Sequence, residues 1–169
     1  MINIFITNLG KYNEGELVGE WVKLPVSEEE LKAVFERIGI NEVYEEHFIT
    51  DYETDVDNFE IGEYDSIGSL NEIAETLECL YEYEREIVSV LLSEGYSLEE
   101  ALEKKDNCFI YYDCFTMEDV AIEYAEETGL LNDIPENLQC YFDFDAFGRD
   151  MGIEGYFVFT NNGNCVQIL

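Results

Sequence analysis

Cations are scarce in this chain of 169 residues: eight Lys and Arg stand against 40 Asp and Glu, a formal net charge of −32 at neutral pH. A duplex-binding protein needs clustered Lys and Arg to displace counterions from phosphate. Eight scattered cations supply no such footprint, so direct binding of nucleic acid is excluded. An anionic membrane surface is excluded for the same reason. Histidine occurs once, at His47, which rules out HExxH zinc sites and multi-histidine clusters. There is no apolar run of about 18 residues and no basic segment leading into an apolar stretch, so a soluble, cytoplasmic protein is expected. The five cysteines, Cys79, Cys108, Cys114, Cys140 and Cys165, are odd in number and lack CxxC spacing. They read as reduced, partly buried thiols.

Other chemistry is missing as well. GxSxG is absent, and Asn8-Leu9-Gly10-Lys11 has neither the length nor the second glycine of a phosphate loop. A calcium loop begun at Asp55 fails, because Phe59 and Glu60 fall where an oxygen ligand and the turn glycine belong. Among 40 acids, pairs such as Asp143 with Asp145 or Asp55 with Asp57 carry no catalytic information and read as exposed strand or helix-end residues. No Cys lies in an electropositive setting that would make it a nucleophile for His47. The expectation is a protein that is not an enzyme and has no metal and no cofactor.

What is present argues for a folded chain: 47% of residues are apolar and 14% aromatic, more than a solvated acidic tail carries. The first part reads as β-rich with one helix. Strands are expected at Ile2 to Thr7 and within Leu17 to Leu24, separated by a polar loop from Asn8 to Glu16, and again at His47 to Tyr52. Ser27 with Glu30 forms a capping box for a helix over Glu28 to Ile38, which Gly39 stops. A loop covers 53–63.

Helical periodicity takes over near Ser66. Ser69 with Glu72 reads as a capping box; Leu70, Ile73, Leu77 and Leu80, then Ile87, Val88 and Leu91, keep a helical period to Gly95, with a break near Tyr81 to Glu84. Ser97 with Glu100 opens a short helix to Lys104. Cys108 to Tyr112 reads as a strand, and Thr116 with Asp119 caps a helix ending before Gly129. Pro135 opens a helix to about Asp150, and the turn Asn161-Asn162-Gly163-Asn164 joins a hairpin of Tyr156 to Thr160 and Cys165 to Leu169. The fold class is α+β, as three small domains in a row: 1–61, 62–107 and 108–169.

The charge is not a tail. Acids outnumber bases three to two over 1–25, twelve to two over 26–60, thirteen to three over 61–107 and twelve to one over 108–169. In the helices it is striped: Asp119, Glu123, Glu126 and Glu127 recur opposite Met117, Val120, Ala121 and Tyr124, and Glu75, Glu78, Glu82 and Glu86 do so if the central helix is continuous. Each uncompensated i,i+4 pair costs on the order of 0.2–0.5 kcal/mol. A merely soluble surface interleaves signs, which this chain does not do. A halophilic surface is a poor match to a chain with 29 Glu, 11 Asp and many large apolar residues.

Imitation of nucleic acid is a third reading. B-DNA carries a charge per about 1.7 Å, so 32 charges match about 54 Å of duplex. A compact chain of this length would be only about 40 Å across. Matching the density of DNA asks for an elongated molecule. The acids expected to face a partner are Asp51, Glu53, Asp55, Asp57, the four central Glu, the four of the 116–128 helix, and Asp143, Asp145 and Asp150. The aromatics Tyr141, Phe142, Phe144 and Phe147, placed on one helix, and Tyr156 beyond it, read as core and as a self-association surface; Tyr141, Phe144, Phe147 and Tyr156 are the dimerisation candidates.

The stretches IFITNLGKYNEGELVGEWVKLP (Ile4 to Pro25), HFITDYE (His47 to Glu53), SIGSLNE (Ser66 to Glu72) and YAEETGLLNDIPENLQCYFDFDAFGRDM (Tyr124 to Met151) resemble the ArdA antirestriction proteins of conjugative plasmids and transposons. The resemblance implies an elongated three-domain homodimer, joined through its C-terminal domain, that mimics bent duplex DNA. Such a protein occupies the DNA-binding groove of type I restriction-modification enzymes and blocks restriction, and often modification, of incoming DNA. It also implies an antirestriction motif in the region of Val120 to Leu131 and the helix after it. The rival expectation is an acidic module for another basic nucleic-acid-binding partner, such as a histone-like protein or a conjugation factor.

Self-repulsion on this scale makes the fold sensitive to screening. The melting temperature should rise with salt concentration, and a melt unchanged from low to high salt would show that the charge does not strain the fold.

Overall fold

A computed structural model describes the whole chain, Met1–Leu169, and divides it into two compact units, Met1–Ser89 and Val90–Leu169. Their elements are α+β throughout, two three-stranded antiparallel sheets with eight helices. No helix is long and apolar enough to cross a membrane.

The first unit is built on β1 (Ile2–Asn8), which lies between β2 (Gly19–Leu24) and β3 (His47–Thr54). Alternation decides its faces: Ile2, Ile4 and Ile6 pair with or lie beside Val22, Leu24 and Ile49 on the buried side, while Phe5 is flanked by Trp21 and Asp51 on the other. A bulge between Phe5 and Ile6 leaves Thr50 without a strand partner, and its hydroxyl meets that of Thr7 at 2.7 Å. The segment expected as a loop after β1 contains a short helix, α1 (Leu9–Asn13). Asn8 starts it by accepting from the Lys11 amide at 3.0 Å while its amide group donates to the Ile38 carbonyl, so this buried polar side chain is satisfied at both ends.

Helix α2 (Glu28–Arg37) begins at Ser27 as expected, but only half the box forms. The Glu30 carboxylate turns to Arg37 instead, at 2.7 Å. Helix α3 (Ile67–Glu78) starts two residues before the Ser69 of the expected box, because burying Ile67 and Leu70 on one side draws the first turn in. Asn71 fastens it to the chain after β2 by exchanging two hydrogen bonds with the Val26 backbone. The central break falls at Cys79 to Tyr81, before α4 (Glu82–Ser93). Arg85 adds a second donor to the Leu77 carbonyl, which also accepts from the Leu80 amide, and Glu84 accepts from the Tyr81 amide, so side chains support both sides of the break.

The second unit holds α5 (Leu98–Lys104), opened by a complete Ser97–Glu100 box, and a sheet of β4 (Cys108–Tyr111), β6 (Cys165–Ile168) and β5 (Tyr156–Phe159), in that order. The terminal hairpin turns at Gly163, whose φ of 81° suits glycine. One sheet face sets Tyr111, Cys165 and Phe157 against α6 (Met117–Thr128) and α8 (Phe144–Glu154). The single helix expected after Pro135 is two: α7 (Glu136–Gln139) ends in a turn, and Asp143 opens α8 by accepting from the Ala146 amide. Tyr141 and Phe142 therefore lie outside the helix.

Helices α6 and α8 approach so closely that a Cβ on Gly148 would come within 2.2 Å of the Met117 carbonyl oxygen. One turn on, a Cβ on Gly152 would meet only the flexible Met117 side chain, at 3.3 Å. Gly148→Ala should cost about 1–3 kcal/mol through overpacking, whereas Gly152→Ala should be neutral or stabilise by up to about 1 kcal/mol. Thermal melts of the two variants check the contrast, and equal effects would contradict the close helix contact.

Candidate functional site

Desolvating a carboxylate without a partner is costly, and this chain avoids it: 35 of its 40 acids are exposed and none is buried. Neither unit owns the charge. Met1–Ser89 holds 23 acids against five bases, net −18, and Val90–Leu169 holds 17 against three, net −14.

Most cations are engaged by the chain itself. Arg37 grips Glu20 with two hydrogen bonds at 2.8 and 2.9 Å and adds Glu30, tying α2 to β2. This pairing holds the Glu20 carboxyl below its ordinary range and raises the Arg37 guanidinium. Lys11 lies over the Tyr44 ring with Glu14 and Glu16 within 3.7 Å. Arg85 reaches Asp55, Lys104 donates to the Leu169 carbonyl, and Lys105 pairs with Asp106. Exposed pairs of this kind add little stability, because solvent and salt screen them. Their larger effect is to leave an outward surface that is almost all anionic.

The expected partner-facing acids divide by what they already do. Glu75 and Glu78 on α3 and Glu82 on α4 are exposed, with Glu86 half-buried, but the break at Cys79 to Tyr81 prevents the four from forming one helical stripe. Glu126 and Glu127 stand free on α6, and Glu123 is half-buried. Asp119 is a cap: its Oδ2 accepts from the Thr116 hydroxyl and from the Phe115 and Thr116 amides, which lowers its carboxyl below the usual value. Its stabilisation is complete above the unfolded-state pKa of an Asp, about 3.9, and is lost as pH falls through the lower folded value. Asp143 is likewise consumed as the α8 cap, whereas Asp145 and Asp150 are exposed on that helix. On and after β3, Glu53 accepts from Asn3 and Asp55 meets the N-terminal amine and Arg85, while Asp51 and Asp57 are exposed.

The dimerisation candidates also separate. Tyr141 is 82% exposed in the turn before α8. Phe144 and Phe147 are partly buried, each edge-on to Phe142 at 4.8 and 5.5 Å. Tyr156 is half-exposed, with its hydroxyl bound to Glu94. Residues that periodicity did not single out, Tyr112, Phe115 and Ile153, are exposed apolar side chains of the same unit. Side-chain size alone held no signal of their exposure.

His47 packs on Phe35, its rings 4.7 Å apart, and burial lowers its pKa. The buried Cys114 thiol is pushed up to about 11, first by burial and then by Asp119, Glu123 and Asp113, which is the reverse of activation. No three His, Cys, Asp or Glu side chains converge as metal ligands would.

A family model described as antirestriction protein (ArdA) matches residues 4–166. A sequence search of curated proteins finds no match.

All five thiols are free, with Cys79 and Cys140 exposed, Cys108 intermediate, and Cys114 and Cys165 buried. Burial pushes Cys165 up to about 12. A thiol reagent at pH 8 should therefore label Cys79 and Cys140 rapidly in the native chain and reach Cys114 and Cys165 only on unfolding. Mass-spectrometric mapping over time checks this order, and early labelling of Cys114 would contradict its placement.

Proposed function

The chain belongs to the ArdA antirestriction family, and from that premise we propose that it is a non-catalytic mimic of duplex DNA that fills the DNA-binding groove of a type I restriction-modification enzyme. The observation that carries the reading is the distribution of charge: 35 exposed carboxylates shared between both units, with most cations already tied to groups of the same chain. A groove lined with Lys and Arg for phosphate would meet carboxylates instead. Affinity would come from long-range attraction and the release of counterions, with fast association that weakens steeply as salt rises.

The working form in this reading is an elongated homodimer, three small domains per protomer, joined through the C-terminal part. Exposed Tyr112, Phe115, Tyr141 and Ile153 support an apolar contact in that part, since aromatic residues with few charges are what interface centres collect. Restriction, and modification with it, would be blocked because both activities need the same DNA groove.

Because the field is collective, no single carboxylate should dominate. Neutralising one, as in Glu126→Gln, should weaken inhibition by less than about 1 kcal/mol. Neutralising Glu123, Glu126, Glu127, Asp145 and Asp150 together should weaken it progressively further without touching the caps Asp119 and Asp143. The deciding measurement is competition with duplex DNA for a purified type I enzyme. Displacement of the inhibitor by excess DNA, and inhibition that fades as salt rises, are expected. A complex that excess DNA leaves intact would end the mimicry reading.

A further inference from the structure

The exposed face of the N-terminal sheet carries a feature that phosphate imitation does not ask for. An open groove of about 440 Å³ is floored by β1 and β3 and walled by aromatic rings. Phe5 and Trp21 form one wall, cross-strand neighbours set edge to face with ring centres 5.4 Å apart. Phe48 is the other, with Tyr12 of α1 edge-on at 5.2 Å. Gly19 makes the first wall possible, since a Cβ there would lie 2.6 Å from the Phe5 ring. Trp21 stays 45% exposed and Tyr12 50%. A tryptophan and a tyrosine are left half in water, each packed against a second ring, so aromatic surface is open to a ligand at this groove.

The groove is also signed. Its lining includes Asp51 and Glu63 and no cation. Asp51 is the cross-strand neighbour of Phe5 on the side away from Trp21, and one of its oxygens accepts from the Tyr52 amide, leaving the other available. Carboxylates beside exposed aromatic faces complement a planar cation, which can stack on the rings while its N–H groups reach the acids. A lysine ammonium would gain the charge but not the stacking. An apolar side chain would leave two carboxylates facing it.

We propose that this groove binds the guanidinium of an arginine side chain on a basic partner protein. The contact is independent of the carboxylate-for-phosphate reading: it uses ring stacking at one place, whereas mimicry uses the whole acidic surface.

Trp21 is the only tryptophan, so its indole N–H gives a single signal in a nitrogen-correlated NMR spectrum that reports on the groove. The full chain is titrated with Nα-acetyl-arginine methylamide, with the lysine analogue of equal charge, and with the neutral citrulline analogue, at fixed ionic strength. The arginine compound should shift the Trp21 signal saturably and bind about three- to tenfold tighter than the lysine compound, with citrulline inert. The Asp51→Asn/Glu63→Gln variant should weaken arginine binding about three- to tenfold. The Glu99→Gln/Glu103→Gln variant, which removes the same charge from α5, should leave it unchanged.

Equal binding of arginine and lysine would overturn the proposal in favour of the general field. So would equal weakening by the two double variants, or a titration without saturation. A Trp21 signal that moves with protein concentration and ignores arginine would overturn it in favour of a second copy of the chain as occupant. None of these outcomes bears on competition with DNA, so failure here and failure of mimicry remain distinguishable.

Discussion

Repulsion between carboxylates sets the terms for every element of this molecule. A chain with five acids for each base cannot lower its energy by pairing charges, so stability has to come from apolar burial and from hydrogen bonds that use carboxylates locally. Both units do this. The alternating Ile2, Ile4 and Ile6 of β1 anchor one core, and Tyr111, Cys114, Val120 and Cys165 anchor the other. The acids stay at the surface, and a few of them have a structural task as well, as Asp119 and Glu100 have in holding helix starts.

The few cations make sense within that constraint. Arg37 joins α2 to β2, Arg85 closes the end of α3 while reaching Asp55, and Lys104 ties the end of α5 to the last residue of the chain. Spent as internal braces, they leave the exterior close to a single sign. An ordinary soluble surface mixes signs, and what is given up here in intramolecular attraction is regained only if a cationic partner exists. Family membership says that this partner is a restriction enzyme.

Much of the architecture was legible because local hydrogen-bond chemistry writes it into short spans. Ser97 with Glu100 and Thr116 with Asp119 open helices where they should, Gly39, Gly95 and Gly129 close them with positive φ, and the Asn161 to Asn164 turn makes a hairpin. The structure departs from local expectation where the deciding contact lies outside the local motif. Glu30 answers to Arg37 rather than to its own cap, α1 depends on Asn8 reaching Ile38, and the start of α3 follows the burial of Ile67 rather than the chemistry of Ser69. Asp143, read as an exposed strand or helix-end residue, is both exposed and at a helix end, and as the cap of α8 it splits the single helix expected after Pro135.

The amino-acid sequence by itself determined the sign and scale of the surface, the α+β class and the family, because composition, periodicity and long matching stretches are properties of the chain before it folds. Only the tertiary structure decided which carboxylates remain free and which are consumed as caps, and that Phe144 and Phe147 turn inward while Tyr141 does not. It alone brought Phe5, Trp21, Tyr12 and Phe48 to one acid-edged groove. The physical reason is the same in each case: exposure, and the identity of a neighbour across a sheet, depend on strand register and packing between residues far apart in the chain.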